Sequence, residues 1–232
     1  MADPDSILLK LENLSVTFKE GHPLFSGVNL TVNRGDIVAI VGKSGGGKTT
    51  LLKCIAHMGV YSGRVLLHGQ KPQEYGIPNF RTKVLYVPQR PSMLPSTPRV
   101  FLRRIEGYAA RKEDKDNEQA AIELGQQWSL EDDIWDRPWT SLSGGEAQRT
   151  FLAIACTLKN TEVLLLDEPT SALDADTVKT VETHLCSLPA SSHSSIQAII
   201  WITHSDDQAH RATRLIRVAN GGATEDSIPE GV

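Results

Sequence analysis

Cysteine is scarce in this chain. Cys54, Cys156 and Cys186 are the only three, and no two share a metal-ligand or redox spacing. That excludes a disulfide scaffold and a zinc framework, and it reads as reduced thiols in a reducing compartment. Long apolar runs are absent too: none approaches the roughly 18 residues that a bilayer span needs. The first ten residues, MADPDSILLK, are acidic and lack the charged-then-apolar layout of a signal peptide. The expectation is a soluble, cytoplasmic protein, and any work at a membrane requires a partner that supplies the spans. Charge of one sign is also lacking. With 24 Lys and Arg against 28 Asp and Glu the net charge is -4, so bulk electrostatics give no reason to expect nucleic acid as a partner. There is no internal repeat, no heptad run and no linker that would split the 232 residues into independent domains.

What is present centres on Asp36 to Ile55, DIVAIVGKSGGGKTTLLKCI. The apolar run Ile37 to Val41 has strand composition, a glycine-rich loop follows from Gly42 to Gly47, and Leu51, Leu52 and Ile55 have helical spacing. G-x-x-x-x-G-K-[ST] is matched at Gly42, Gly47, Lys48 and Thr49, in the strand–loop–helix context it requires. Glycines let backbone N–H groups turn inward around an anion, and the helix start adds partial positive charge. Lys48 can then reach β- and γ-phosphates, and the Thr49 hydroxyl can ligate Mg²⁺.

The remaining pattern fits an α/β domain. Ile7 to Phe18 alternates apolar and polar residues and reads as one or two half-buried strands with a break at Glu12-Asn13, and Leu24 to Val32 and Arg64 to His68 are further strands. By periodicity alone Phe18 is a core or edge aromatic. Gln73 to Arg81 reads as loop. Lys83 to Val87 is a strand ending at Gln89, which is either a group presented at a sheet's carboxyl edge or a solvated loop residue. Prolines break the chain from Arg90 to Pro98, and helical patterns follow to Gln127. Trp128, Trp135 and Trp139 read as packing between helices. Ser143, with Glu146 three residues on, is a capping box opening a helix from Glu146 to Leu158. Gly144 and Gly145 beside that helix start make a second anion-ready nest. Val163 to Leu166 is an apolar strand followed by two acids. Asp167 at its end can hold Mg²⁺, and Glu168 can polarise an attacking water as general base. Ala198 to Thr203 is a buried strand ending at His204, on the same sheet edge as Gln89, Asp167 and Glu168. Arg214 to Val218 is the last strand expected.

GKSGGGKT, VPQ, LSGGEAQR, VLLLDEPTSALD and ITH, in that order, resemble the ATP-binding subunits of ABC transporters. The match covers about Leu8 to Gly222, and LSGG makes it specific among phosphate-loop ATPases. Within the family the chain looks most similar to a bacterial iron-exporter ATPase and to plant aluminium-tolerance ATPase subunits. The resemblance implies a RecA-like P-loop core with an N-terminal antiparallel β subdomain and an inserted helical subdomain. The domain would run over residues 7–222, with the helical insertion at about 90–158 and tails at 1–6 and 223–232.

The resemblance also implies roles. Gly42, Lys43, Ser44, Gly45, Gly46, Gly47, Lys48, Thr49 and Thr50 would form the phosphate loop, and Phe18 would stack on adenine, a role that periodicity alone does not favour. Mg²⁺ would be held by Thr49, Gln89 and Asp167. Glu168 would be the catalytic glutamate, Gln89 the loop glutamine, His204 the switch histidine and Asp174 the acid of the turn after the second strand motif. Two copies would close head to tail, with Ser143, Gly144 and Gly145 of one covering ATP on the other. The implied partners are a second ATPase subunit and an integral membrane transporter subunit on whose cytoplasmic face the chain would sit. Two departures are visible: Phe18 stands where Tyr is commoner, and Ser205 follows the histidine where Asp is usual. The rival readings are a soluble ABC ATPase of DNA repair or the ribosome, and a nucleotide-binding regulator without turnover. The first would bring a long coiled-coil insertion or tandem ATPase domains, neither of which the sequence shows. Intact Glu168 and His204 speak against the second.

Overall fold

The computed structural model describes residues 6–17, 21–90, 95–111 and 117–228. The strands are β1 (Ile7–Thr17), β2 (Pro23–Asn33), β3 (Ile37–Val41), β4 (Ser62–Leu67), β5 (Val84–Val87), β6 (Val163–Asp167), β7 (Ala198–Ile202), β8 (Arg214–Ala219) and β9 (Gly222–Asp226). The helices are α1 (Lys48–Ile55), α2 (Pro72–Tyr75), α3 (Ile77–Lys83), α4 (Pro98–Glu106), α5 (Asn117–Gln127), α6 (Gly144–Thr157), α7 (Ala175–Ser187) and α8 (Asp206–Arg211). One sheet is antiparallel, in the order β2-β1-β4. The other has the order β5-β6-β7-β3-β8-β9 and is parallel except for its last pair.

The parallel strands are short apolar runs because both faces are covered. Side chains alternate between two cores with period 2. Val163, Leu165, Ile200, Ile202, Val38 and Ile40 pack with α1 and the antiparallel sheet. Leu164, Leu166, Ile199, Trp201 and Ala39 face the other way, toward α6, α7 and the tryptophan cluster. Trp128, Trp135 and Trp139 are buried there, as expected for packing between helices. The Phe101 ring meets Trp139 edge-on at 5.8 Å, and Trp128 meets His184 at 5.5 Å.

Parallel register lines up the carboxyl ends. Asp167 pairs with Ile202 and Ile202 with Ile40, so the residues that follow each strand emerge on one edge. That edge is where ligands bind in open α/β sheets.

Three local expectations need correction. Residues 73–81 are not a loop: α2 and α3 occupy them, each with a proline in its first turn and Gly76 (φ 77°) between. The prolines that look like breakers start these helices, because the first turn has no N–H to lose. The helix expected from Glu146 begins at Gly144, directly after its Ser143 cap. Residues 223–226 are not tail but most of β9, paired antiparallel with β8. This strand looks polar because it is an edge whose acids meet cations across the ladder, Glu225 with Arg214 at 2.7 Å and Asp226 with Arg217 at 2.6 Å. The break at Glu12-Asn13 is real, but as an irregularity inside one continuous β1, with Asn13 at φ 51°.

That irregularity is held by Gly63 at the start of β4. Gly63 has φ 93°, and a Cβ there would lie 2.4 Å from the Asn13 carbonyl oxygen. Gly63→Ala is therefore expected to destabilise the fold by about 2–4 kcal/mol, the sum of a left-handed backbone and an overpacked contact. Urea unfolding with an unchanged slope and a lowered midpoint is the check.

Candidate functional site

The phosphate loop is built by backbone geometry. Gly42, Gly45 and Gly47 have φ of 150°, 76° and 94°. Gly42 also lies so close to β8 that a Cβ would sit 2.3 Å from the Val218 oxygen. No side chain caps the α1 N-terminus, because its cap position is Gly47. The first-turn N–H groups of α1 are thus left for an anion. Lys48 is buried and folds back across the loop, donating to the Gly42 oxygen at 2.8 Å and the Lys43 oxygen at 3.1 Å. Burial pushes its ammonium below the ordinary lysine value, while Glu168 and Asp167 pull the other way. Both lysine contacts are to neutral carbonyls, which a phosphate can replace with a charge-assisted bond.

Asp167, buried at the end of β6, accepts from the Thr49 hydroxyl at 3.2 Å and from the Tyr86 hydroxyl at 2.9 Å. Burial and the neighbouring Asp167 raise the Tyr86 phenol far above its usual value, so it stays a donor. Tyr86 was not legible as a site residue; it reads only as an apolar member of β5. A hydroxyl and a carboxylate in contact, with no protein cage around them, fit a cation that takes hard oxygen donors and keeps phosphate and water in its remaining positions. Among the described residues no group of three or more His, Cys, Asp and Glu forms a self-sufficient metal cage.

Glu168 has a left-handed backbone, φ 50°, rare for a side chain of this size. Its carboxylate is gripped from two strand ends. The Gln89 amide donates to Oε2 at 2.7 Å, and His204 Nε2 lies 3.1 Å from Oε1. Gln89, expected among the metal ligands, meets Glu168 through its amide nitrogen, a bond that does not use the side-chain oxygen by which a glutamine holds a cation. A cavity of about 300 Å³ opens beside Glu168 and His204, lined also by Thr170, Ser171 and Gln208. Another, of about 540 Å³, separates the outer face of the phosphate loop from Leu24 and the turn at Asn220-Gly221.

The residues expected on the far side of the nucleotide are engaged in helix caps. Ser143 caps α6: its hydroxyl accepts from Glu146 N–H at 3.2 Å and its own N–H donates to the Glu146 carboxylate at 2.7 Å. Among the described residues, no hydrogen bond joins Ser143, Gly144 or Gly145 to the loop at Gly42–Thr50. Asp174 caps α7, accepting from the Thr177 N–H at 3.0 Å and the Thr177 hydroxyl at 2.8 Å. These bonds, the backbone one foremost, hold its carboxyl below the usual range. Phe18 lies outside the described residues.

Residues 25–171 match the family model described as "ABC transporter". The chain belongs to the ABC transporter family. It is 32% identical over 228 residues to a macrolide export ATP-binding/permease protein, MacB, of Campylobacter fetus subsp. fetus; the alignment covers 95% of this chain and 35% of that protein. It is 36% identical over 208 residues to an aliphatic sulfonates import ATP-binding protein, SsuB 3, of Rhodococcus jostii, covering 88% of this chain and 68% of the relative. Among solved structures, a dimeric post-hydrolysis state of the ATP-binding cassette MJ0796 bound to ADP and Pi superposes with a TM-score of 0.79 at 26% identity, covering 97% of this chain and all of that one. The chain thus spans about a third of the length of MacB but most of SsuB 3. The fold is that of ABC ATPase subunits: a RecA-like P-loop core, an antiparallel β subdomain and helices inserted between β5 and β6. The phosphate loop, Asp167, Glu168, Gln89 and His204 thus gather at one sheet edge, while Ser143 is engaged in capping α6.

Proposed function

We propose that this ABC ATPase works as a head-to-tail homodimer that hydrolyses Mg²⁺-ATP to drive a separate membrane-spanning transporter subunit. The observation that carries the reading is the grip of Gln89 and His204 on Glu168 at the edge where the phosphate loop begins. Lys48 exchanges the Gly42 and Lys43 carbonyls for the β- and γ-phosphates, and the loop N–H groups hold the remaining phosphate oxygens. Thr49, Asp167 and the Gln89 side-chain oxygen would hold Mg²⁺, which would supply charge neutralisation for the phosphates. Glu168 accepts a proton from a water whose oxygen attacks the γ-phosphorus. The bond to the bridging oxygen breaks, and its electron pair leaves with ADP. Gln89 orients the Glu168 carboxylate, and His204 places it relative to the γ-phosphate. Phe18 stacks on adenine, and Asp174 shapes the turn that meets the partner.

The two anion nests have a common explanation in this reading. Ser143, Gly144 and Gly145 share no hydrogen bond with their own loop among the described residues, and in this reading they close on the loop of a second copy. The relatives carry the words export, import and permease in their names, which supports a membrane partner for this chain as well. Among the described residues no helix is long and apolar enough to cross a membrane, so the chain would sit peripherally on the cytoplasmic face. The transported substrate, and with it the finer likeness to iron-exporter and aluminium-tolerance subunits, would be chosen by that partner.

The test is affinity purification of the tagged chain from detergent-solubilised membranes, with phosphate release measured on the product. Recovery of a stoichiometric multi-span protein, with Mg²⁺-dependent ATP turnover, is the expected result. Recovery of a nucleic acid or ribosome complex in its place would overturn the transport reading while leaving the ATPase intact.

A further inference from the structure

Gln148 lies in the second turn of α6 and is 4% exposed. Its side-chain oxygen accepts the Ala172 N–H at 3.0 Å. Its amide group donates to the Glu168 oxygen at 3.1 Å and, at a longer 3.4 Å, to the Gln89 oxygen. One side chain thus spans three segments: the end of β5, the left-handed turn that aims Glu168, and the turn leading to the Asp174 cap. The other groups on the Glu168 oxygen, Ser171 N–H at 3.3 Å and Ser171 hydroxyl at 3.1 Å, come from the same turn. Among the described residues, Gln148 alone reaches it from another element. At 4% exposure water cannot replace these bonds, so their loss would leave buried groups unpaired.

The element that carries Gln148 matters. α6 starts at Gly144, and Ser143 caps it, so the segment that would touch a partner's phosphate is the same rigid helix that holds the Glu168 turn. Resting on the dimer reading above, we infer that Gln148 is a positioning residue that links the two nucleotide sites. It transmits the seating of α6 on the partner's nucleotide to the backbone of Gln89 and Glu168 in its own chain. Seating at one site then prepares the carboxylate at the other, and turnover depends cooperatively on ATP.

Gln148→Met keeps length and burial but makes none of the three bonds. Gln148→Glu keeps an acceptor for Ala172 N–H and sets carboxylate oxygens against the two carbonyls. In the full-length protein both should lower kcat by about 10-fold or more, leave the KM for ATP within about 3-fold, and bring the Hill coefficient from near 2 to near 1. Binding of a fluorescent ATP analogue to the monomer should be unchanged, since the loop at Gly42–Thr50 is untouched. Equal changes in kcat and KM, or wild-type cooperativity in both variants, would overturn the inference. So would loss of nucleotide binding in both, which would mark Gln148 as a residue of the fold alone. Glu168→Gln run in parallel separates the two levels. If it keeps turnover, the underlying reading has failed; if it stops turnover while Gln148→Met does not, only the linkage has.

Discussion

Glu168→Gln is expected to lower ATP turnover by about 10²–10⁴-fold, the usual worth of a positioned general base, while ATP binding persists. An amide has nearly the shape of the carboxylate but cannot take a proton from water. The substitution keeps one acceptor oxygen, so it can still meet either the Gln89 amide or His204, which lie 2.7 Å and 3.1 Å from the native carboxylate. The left-handed turn at φ 50° is unaffected in kind, because Glu and Gln tolerate it equally poorly. Lys48, Thr49 and the loop glycines are untouched, so nucleotide should still be held. With hydrolysis stopped, the γ-phosphate stays in place and the two copies stay closed on it. Phosphate release and ATP-dependent size-exclusion elution are the two measurements. Near-normal release would remove Glu168 from the role of base; normal loss of release without an ATP-dependent dimer would remove the γ-phosphate from the role of adhesive.

Much of this site is legible in the sequence because its chemistry is local in the chain. A glycine loop must sit between strand and helix to hold an anion, so Gly42 to Thr50 announces itself. Short buried parallel strands end where polar residues begin, so Gln89, Asp167, Glu168 and His204 can each be placed at a carboxyl edge before any fold is known. What the residues do to one another is not local. Nothing in VLYV marks Tyr86 as the donor to Asp167, 81 residues away. Nothing in GGEAQR says that Gln148, and not Arg149, turns inward to bind Ala172 and Glu168. Nothing in VPQR says that the Gln89 amide donates to Glu168, 79 residues away. The fold is misread for the same reason in reverse. Proline and glycine between residues 73 and 81 look like a loop, and the charges of Glu225 and Asp226 look like a tail, until their partners in space are known.

A mixing experiment should show that each site needs two chains. Lys48→Ala removes the loop cation. Gly144→Asp sets a negative charge at the α6 N-terminus, where phosphate of the partner's nucleotide is expected. Gly144 suits the purpose because a Cβ there meets only the Ala172 Cβ, at 3.8 Å, and its φ is ordinary; the fold should tolerate the change. Gly145 does not suit it, since a Cβ would press on the Ala172 oxygen at 3.2 Å. Each variant alone forms dimers in which both sites carry one lesion, so turnover should fall to background. Mixed dimers collect both lesions in one site and leave the other whole. An equal mixture, exchanged freely, should recover about a quarter of wild-type turnover if sites act independently and only hetero-pairs are active. Strong cooperativity between sites would lower that figure without abolishing it. If the mixture stays at background while each variant still binds the other, the two sites do not share residues across the interface. If Gly144→Asp alone keeps full turnover, the start of α6 does not face phosphate at all. Only recovery in the mixture is compatible with a phosphate loop and an α6 N-terminus that share no hydrogen bond within one chain and meet between two.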